Sequence, residues 1–311
     1  MNVLSLFDGI SCGRVALERA GIKVDNYYAS EIDKYAMSIS DKNYPDIVQV
    51  GSVVNLDGLM FHGESYPRID LLIGGSPCQD LSIAGRRKGL NGERSGLFYE
   101  FVRLIKEIKP KYFVLENVNS MPKETKAIIT MELFNIPPIM INASLVSAQN
   151  RKRLFWVGKL VGDTYEQVRM ELPEDKEIYL TDILQENVDE KYYLTESNIK
   201  TINRNFGSKG KTLNLDKDNS LIEKMTYPSR INQKSGKIKS PTLTAAMGTG
   251  GGNIPVIIRN GKIRKFTEIE CERLQTLPDD YTKGVCSTQR YKAIGNGWTV
   301  DVIAHILSFI K

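Results

Sequence analysis

The sequence of 311 residues lacks several patterns that would place it in familiar classes of protein. Its four cysteines, Cys12, Cys78, Cys271 and Cys286, show no C-x-x-C spacing, so we expect neither a zinc site nor a disulfide framework. No segment approaches the roughly 18 consecutive apolar residues of a membrane span. The first residues lack the basic lead of a signal peptide, so we expect a cytoplasmic protein with no membrane and no metal partner.

The turn after the first predicted strand, Val3 to Phe7, lacks the G-x-G-x-x-G pattern of dinucleotide-binding proteins. It still contains Gly9 and Gly13, and glycines allow a ligand to approach the backbone closely. Glu31 follows the second predicted strand about 20 residues later, where an acidic residue commonly accepts hydrogen bonds from ribose hydroxyls. These features indicate a cofactor that contains a nucleoside, although a glycine turn can also serve packing alone.

The order of apolar runs predicts the fold class. Residues 1–160 alternate strand-like and helix-like stretches, which predicts an α/β fold with a Rossmann-like, doubly wound, mostly parallel sheet. Residues 161–260 are polar and irregular, which indicates a smaller second domain. We expect residues 261–311 to return to the first domain, beginning with a helix whose N-terminus carries a capping box at Thr267 and Glu270.

The charge of the chain is unevenly distributed. The formal net charge is +5, but residues 191–265 carry 15 Lys and Arg against 4 Asp and Glu, a net charge of +11. The remainder has 27 against 33, a net charge of −6. A basic segment rich in short polar residues is typical of a protein that binds a phosphate backbone, although a solvated basic face without a partner has the same composition.

Two residues at the ends of neighbouring predicted strands are candidates for catalysis. Cys78 follows the apolar run Ile69 to Ile73 and two glycines, which places a thiol at the sheet edge where α/β proteins bind ligands. A cysteine in this position is also commonly a small core residue. Glu116 ends the next strand, and we expect it beside Cys78 in one pocket, where a carboxyl group and a thiol suit nucleophilic attack.

Two arginines, Arg151 and Arg153, lie at the start of a further predicted strand. Alternation along a strand predicts that both side chains point to the same face. Two fixed guanidinium groups could orient a carboxylate and a phosphate. Taken alone, an arginine pair of this kind is often simply a surface feature.

These features occur together in one order that resembles the cytosine-C5 DNA methyltransferase family along nearly the whole chain, with a variable basic insert at the expected place. The motifs are Phe7-Asp8-Gly9, Glu31, Pro77-Cys78-Gln79, Glu116-Asn117-Val118, Gln149-x-Arg151-x-Arg153, Arg264-Lys265-Phe266-Thr267 with Glu272-Arg273-Leu274-Gln275, and Gly295-Asn296-Gly297. The compact length is similar to bacterial and phage members, whereas the first turn and Trp298 are similar to the animal de novo branch.

The resemblance implies a reaction and a set of catalytic residues. Cys78 would add as a thiolate to carbon 6 of cytosine, and Glu116 would contact ring nitrogen 3 and the exocyclic amine. Arg151 would brace the carbonyl oxygen of the pyrimidine, and Arg153 would support the Cys78 loop or a nearby phosphate. The methyl donor would be S-adenosyl-L-methionine, bound by the S-adenosylmethionine-dependent methyltransferase fold.

The resemblance also implies the residues that would hold this cofactor. They are Phe7, Asp8, Gly9, Ile10, Ser11, Cys12, Glu31, Ile32, Ser52, Val53, Leu97, Asn296 and Trp298. Two of them depart from the common pattern of the family: Ser11 stands where many members have glycine, and Ser52 where many have aspartate. Both departures bear on the affinity for the cofactor.

The implied partner is double-stranded DNA. Because a base inside a duplex cannot be reached by the thiol, the target cytosine must be flipped out. The loop Ser82 to Leu97 would close over it, and residues 161–260 would form a target-recognition domain. Candidate DNA contacts are Gln79, Ser82, Arg86, Arg87, Thr242 and Leu243. We expect a monomer in a bacterial or phage-infected cell, as part of a restriction-modification system.

Other functions remain open from the sequence. A transfer-RNA cytosine-C5 methyltransferase of the same superfamily would share the motifs, and a catalytically silent DNA-binding relative would share the fold. A nicotinamide oxidoreductase would explain neither the combination of Cys78 with Glu116 nor the basic segment.

Overall fold

The computed structural model describes residues 1–63, 66–76, 96–207, 221–222, 231–232, 238–249, 253–259 and 261–310. The predicted nucleophile Cys78 and the candidate DNA contacts Gln79, Ser82, Arg86 and Arg87 lie outside the described residues. The chain divides into two compact units. The first contains Met1–Asn142, Lys152–Leu172 and Val300–Lys311, and the second contains Ala143–Arg151 and Pro173–Thr299.

The first unit is built on one eight-stranded sheet with the order β3-β2-β1-β4-β5-β7-β6, in which β8 also pairs with β7. Strands β1 to β5 run parallel, and β7 runs antiparallel to β5, β6 and β8. The predicted α/β class with a mostly parallel sheet is therefore confirmed. The strands are β1 Asn2–Leu6, β2 Asn26–Ser30, β3 Val48–Gln49, β4 Leu71–Gly75, β5 Tyr112–Val118, β6 Ile139–Asn142, β7 Lys152–Val161 and β8 Thr164–Gln167.

Among the α-helices of the described residues, α1 to α4 alternate with the strands as predicted for the first part of the chain. They are α1 Cys12–Arg19, α2 Lys34–Asn43, α3 Leu97–Ile108, α4 Lys123–Glu132, α5 Leu180–Ile183, α6 Glu196–Gly207, α7 Glu268–Leu274, α8 Ser287–Asn296 and α9 Val300–Leu307. Helix α9 belongs to the first unit and packs against α1.

The core of the first unit covers the central strand β5 on both faces. All seven residues of β5 are buried, as expected for a central strand covered on both faces. Helix α3 buries Phe98, Phe101, Ile105 and Ile108, which recur at the spacing of a single helical face. The polar residues at the end of β5 are therefore held by a strand whose backbone is fixed on both sides.

The second unit has its own core and a small antiparallel sheet in the order β10-β9-β11-β12. These strands are β9 Leu221–Ile222, β10 Ile231–Asn232, β11 Val256–Arg259 and β12 Lys262–Lys265. The capping box predicted for α7 is present, since Thr267 accepts a hydrogen bond from the backbone of Glu270, and Glu270 accepts one from the backbone of Thr267.

The compact units divide the chain at different residues from the predicted domains. Helices α7 and α8 contribute Leu274, Tyr291 and Ile294 to the core of the second unit, so residues 261–299 belong there rather than with the first unit. The predicted domain bounds were drawn from the alternation and composition of the sequence, and a target-recognition role for residues 161–260 stays a prediction.

Candidate active site

The turn after β1 has an unusual backbone. Phe7, Gly9 and Ser11 all have positive φ angles, of 55°, 62° and 57°. The amide of Asp8 donates to the carbonyl of Ser30 at the end of β2, over 3.2 Å. The two turns that follow neighbouring parallel strands are thereby joined at the carboxyl edge of the sheet, where α/β proteins bind ligands.

The carboxylate of Glu31 accepts hydrogen bonds from three backbone amides at this edge of the sheet. Its Oε2 accepts a hydrogen bond of 2.8 Å from the amide of Gly9, and its Oε1 accepts bonds of 2.7 Å and 2.9 Å from the amides of Ile32 and Asp33. A carboxylate offers about four acceptor positions, so it can still receive a hydroxyl group. The neighbouring Ile32 is 78% exposed, and a Cβ added to Gly9 would meet no atom within 4 Å.

The carboxylate of Asp8 is held by hydroxyl groups. The Tyr27 hydroxyl donates to Oδ1 over 2.7 Å, and the Ser11 hydroxyl donates to Oδ2 over 2.5 Å. Burial raises the pKa of Asp8, an effect that these hydrogen bonds oppose and the nearby charge of Glu31 reinforces. The side chain of Asp8, a predicted cofactor residue, is therefore engaged in hydrogen bonds that hold the turn after β1.

The side chains of the other predicted cofactor residues differ in their exposure to solvent. Ile10, Cys12 and Val53 are buried, so only their backbone could face a ligand, and Ser52 precedes a 3-10 turn at Val53–Asn55. Leu97 is half-buried at the start of α3. Asn296 and Trp298 belong to the second unit, where Asn296 is exposed at the end of α8 and Trp298 is half-buried.

Glu116 lies near the end of β5 and forms an ion pair with Arg153 of β7. The Nε of Arg153 is 2.7 Å from Oε1 of Glu116, and the two side chains are 16% and 11% exposed. Glu116 is the register partner of Gly75, the last residue of β4. The described chain continues to Ser76, whose hydroxyl accepts a hydrogen bond of 3.1 Å from the Asn117 side chain. Ser76 precedes Cys78 by two residues in the sequence.

Arg151 has different partners from Arg153. It is buried, and its two terminal nitrogens donate to the carbonyls of Leu243 and Gly297 over 2.8 Å and 3.0 Å. Alternation predicted that both arginines share a face, but β7 begins at Lys152, and Arg151 precedes the strand. Arg151 belongs to the second unit and Arg153 to the first.

A buried polar cluster surrounds Arg151 within the second unit. Gln149 accepts from the amide of Leu243 over 2.8 Å and donates to the carbonyl of Leu274 over 3.0 Å. Gln275 donates to the carbonyls of Ile294 and Gly297. The cluster joins residues of three of the sequence motifs with Leu243 and Ile294. Sequence reasoning identified those motifs but assigned no role to Gln149 or Gln275, because nothing in one sequence shows which backbone groups need partners.

The segment that carries Thr242 and Leu243 packs against α8. Leu243 is buried in the core of the second unit, whereas Thr242 is half-buried and donates to the carbonyl of Asn150 over 2.7 Å. Of the predicted pair, Thr242 therefore retains a side chain near the surface. Within the described ranges, no helix is long and apolar enough to cross a membrane, and no group of three or more acidic, cysteine or histidine side chains could hold a metal ion.

Solved structures of methyltransferases share this fold. The methyltransferase EhMeth of Entamoeba histolytica superposes with a TM-score of 0.71, over 99% of this chain and 97% of that one, at 20% sequence identity. This chain and that methyltransferase therefore share one fold.

Sequence comparison identifies the family. The profile of the C-5 cytosine-specific DNA methylases matches residues 1–311. The chain is 31% identical to Type II methyltransferase M.Bsp6I of Bacillus sp., over 98% of the chain and 97% of that protein. It is 27% identical to Orphan methyltransferase M.SPRI of Bacillus phage SPR, over 98% and 96%. The chain belongs to the C-5 cytosine-specific DNA methylase family, which confirms the resemblance and the predicted class of enzyme.

Proposed function

We propose that this protein transfers a methyl group to carbon 5 of cytosine in double-stranded DNA, with S-adenosylmethionine as the methyl donor. The observation that carries the proposal is the ion pair between Glu116 and Arg153, at the end of a central strand and opposite the last residue of β4. Family membership over the whole chain supports the same reaction.

The turn after β1 and the acidic end of β2 fit the proposed cofactor. Glu31 would accept a hydrogen bond from a ribose hydroxyl, and the exposed side chain of Ile32 would cover a face of the adenine. Phe7 and the backbone from Asp8 to Cys12 would line the remainder, and the open space at Gly9 admits a ligand close to the main chain. When bound, S-adenosylmethionine supplies a methyl group on a positively charged sulfur, an electrophile suited to an activated carbon 5.

Carbon 5 of cytosine is a weak nucleophile and has to be activated. In the proposed reaction the Cys78 thiolate forms a bond to carbon 6, which places electron density on carbon 5. Glu116 contacts ring nitrogen 3 and the exocyclic amine, where charge develops during the attack. After methylation, loss of the proton on carbon 5 and departure of Cys78 restore the aromatic ring and the free thiol.

The two arginines would have separate tasks. Arg153 orients the carboxylate of Glu116, because an Nε–carboxylate contact of 2.7 Å at a largely buried position restricts the rotation of both side chains. Arg151 would hold the backbone at Leu243 and Gly297. The sequence resemblance assigned the pyrimidine oxygen to Arg151, and the observed partners favour a supporting task for this residue.

The basic segment and the relatives support DNA as the substrate. The Lys and Arg residues between positions 191 and 265 would bind the phosphate backbone, and Thr242 would lie beside the flipped nucleotide. Proteins with similar sequences include a type II methyltransferase of Bacillus and an orphan methyltransferase of a Bacillus phage. We therefore expect a monomeric, cytoplasmic enzyme of a bacterial or phage restriction-modification system.

Bisulfite sequencing of DNA from cells that express the chain tests this function and reports the target site. We expect methylated cytosines with the wild-type chain and none with Cys78→Ser, while DNA binding measured by gel shift is retained. Glu116→Gln should lower the rate by at least about 100-fold, the range expected for loss of a group that contacts developing charge. Cys286→Ser is the matched control and should methylate normally.

Two outcomes would favour the other functions. Methyl incorporation into transfer RNA but not into duplex DNA would identify an RNA methyltransferase. DNA binding without any tritium transfer from labelled S-adenosylmethionine would identify a silent relative. Near-normal turnover by Cys78→Ser would exclude Cys78 as the nucleophile.

A further inference from the structure

Ser11 occupies a backbone position that is costly for a residue with a side chain. Its φ of 57° and ψ of 38° lie in the left-handed region, immediately before the first residue of α1. Glycine adopts this conformation without a steric penalty, whereas serine does not. A serine here needs a compensating interaction, and its side chain shows which one is present.

The Ser11 hydroxyl is completely buried in a polar cluster. It donates to Oδ2 of Asp8 over 2.5 Å, and it also forms a hydrogen bond with the hydroxyl of Ser40 on α2. Because a hydroxyl carries one proton, the Ser40 hydroxyl is the donor in this second bond. The Tyr27 hydroxyl donates to the other oxygen of Asp8, so the cluster ties the turn to both β2 and α2.

This cluster connects the parts of the first unit that surround the turn. Ser40 is fully buried, and Tyr27 is 1% exposed, so neither side chain is placed to contact a ligand in solvent. The chain of hydrogen bonds runs from α2 through Ser40 and Ser11 to Asp8, whose neighbour Gly9 donates to Glu31. A buried network in which each hydroxyl has a partner holds the backbone more rigidly than separate contacts do.

We propose that Ser11 and Ser40 are positioning residues for the methyl donor, since their hydroxyl groups and the carboxylate of Asp8 hold the turn after β1 in the shape that binds it. This inference rests on the proposed function, because it takes the turn as the site of S-adenosylmethionine. The hydrogen bonds of Ser11 hold the left-handed conformation that a glycine would adopt without them. Because Ser40 of α2 supplies one of these bonds, the affinity for the cofactor depends on α2.

Isothermal titration with S-adenosylmethionine, together with steady-state methylation of duplex DNA, tests the inference. Ser40→Ala removes the donor to Ser11 without changing the turn itself, and we expect its Kd and KM for S-adenosylmethionine to rise about three- to tenfold, as for loss of one buried hydrogen bond, with kcat nearly unchanged. Tyr27→Phe should act in the same direction. Ser38→Ala, at an exposed position of α2, is the matched control and should bind as the wild type does.

Two substitutions at Ser11 separate the hydroxyl from the backbone. Ser11→Ala keeps the side-chain penalty and loses the hydrogen bonds, whereas Ser11→Gly loses the bonds and relieves the backbone. We therefore expect Ser11→Ala to bind more weakly than Ser11→Gly. Thermal melting without ligand measures any loss of stability separately from affinity.

The outcomes distinguish the inference from the function on which it rests. If Ser40→Ala and Ser11→Ala bind S-adenosylmethionine as tightly as the wild type, even with a lower melting temperature, the positioning role is wrong and the proposed function stands. If the wild-type chain binds no S-adenosylmethionine, both are wrong.

Discussion

The thiols of Cys271 and Cys286 differ sharply in acidity. Burial raises the pKa of Cys271 well above its ordinary value, and the neighbouring glutamate Glu270 adds to the effect. The exposed Cys286 has a lowered pKa, because its sulfur interacts with the Thr288 hydroxyl over 3.4 Å and with the amide of Gln289. Since the thiolate is the reactive form, Cys286 should be the more reactive of the two.

We predict that iodoacetamide at pH 8 modifies Cys286 in the folded protein and leaves Cys271 unmodified until the protein unfolds. Peptide mass spectrometry with a time course measures both sites in one sample. Thr288→Val should slow the modification of Cys286 while leaving that of Cys271 unchanged. Equal rates at Cys271 and Cys286 in the native protein would contradict the burial of Cys271.

Single residues also show where sequence reasoning succeeds and where it stops. The sequence identified Glu116 and Arg153 as separate candidates without predicting that they would pair, and the structure brings their side chains together. The partners of Arg151 could not be predicted, because they are backbone carbonyls contributed by residues about 90 and 150 positions away, and loop closure over such distances leaves no local pattern.

At the scale of elements, the contact between α8 and the segment that follows Thr242 depends on the absence of a side chain at Gly295. A Cβ at this position would lie 2.2 Å from the carbonyl carbon and 2.3 Å from the carbonyl oxygen of Thr244. Replacing a helical glycine with alanine normally stabilises a protein by up to about 1 kcal/mol, but here backbone atoms would have to move.

We predict that Gly295→Ala lowers the free energy of unfolding by about 1–3 kcal/mol or more, as other overpacked substitutions do. Urea denaturation followed by circular dichroism measures the change. Gly63→Ala is the control, because a Cβ there meets only the carbonyl oxygen of Met60 at 3.6 Å, and it should change stability by less than about 1 kcal/mol. A stabilised Gly295→Ala would show that the segments are not in close contact.

Elements with a local signal were predicted well. The capping box at Thr267 and Glu270 depends on residues three positions apart, and it is present. Strand β5 includes Glu116, Asn117 and Val118, because its pairing with β7 continues through these residues. Polar residues at a strand end carry no signal of their own for such pairing.

At the scale of the whole molecule, the first unit is assembled from three separated parts of the chain. The sequence predicted that residues 261–311 would pack back on the first domain. It could not predict that residues 143–151 and 261–299 belong to the second unit, since their apolar positions would fit either core. The unit to which a segment belongs is decided by contacts between residues that are distant in the sequence. Composition does not show those contacts.

The return of α9 makes the stability of the first unit depend on residues that follow the second unit in the chain. Val302, Ile303, Ile306 and Leu307 are buried, and Asp301 adds an ion pair of 2.6 Å with Arg19 of α1. We predict that Ile306→Ala lowers the free energy of unfolding of the first unit by about 2–5 kcal/mol, the usual range for a buried isoleucine. Asp301→Asn should cost less than about 1 kcal/mol, because both partners are partly exposed.

The chain's two tryptophans allow the first unit to be followed by itself. Trp156 is fully buried in β7 of the first unit, and Trp298 lies in the second, so a Trp298→Phe background leaves Trp156 as the only tryptophan. In that background, Ile306→Ala should shift the urea midpoint of the Trp156 fluorescence transition downward, whereas Asp301→Asn should leave it nearly unchanged. An unshifted Trp156 transition in Ile306→Ala would mean that α9 does not complete the core of the first unit.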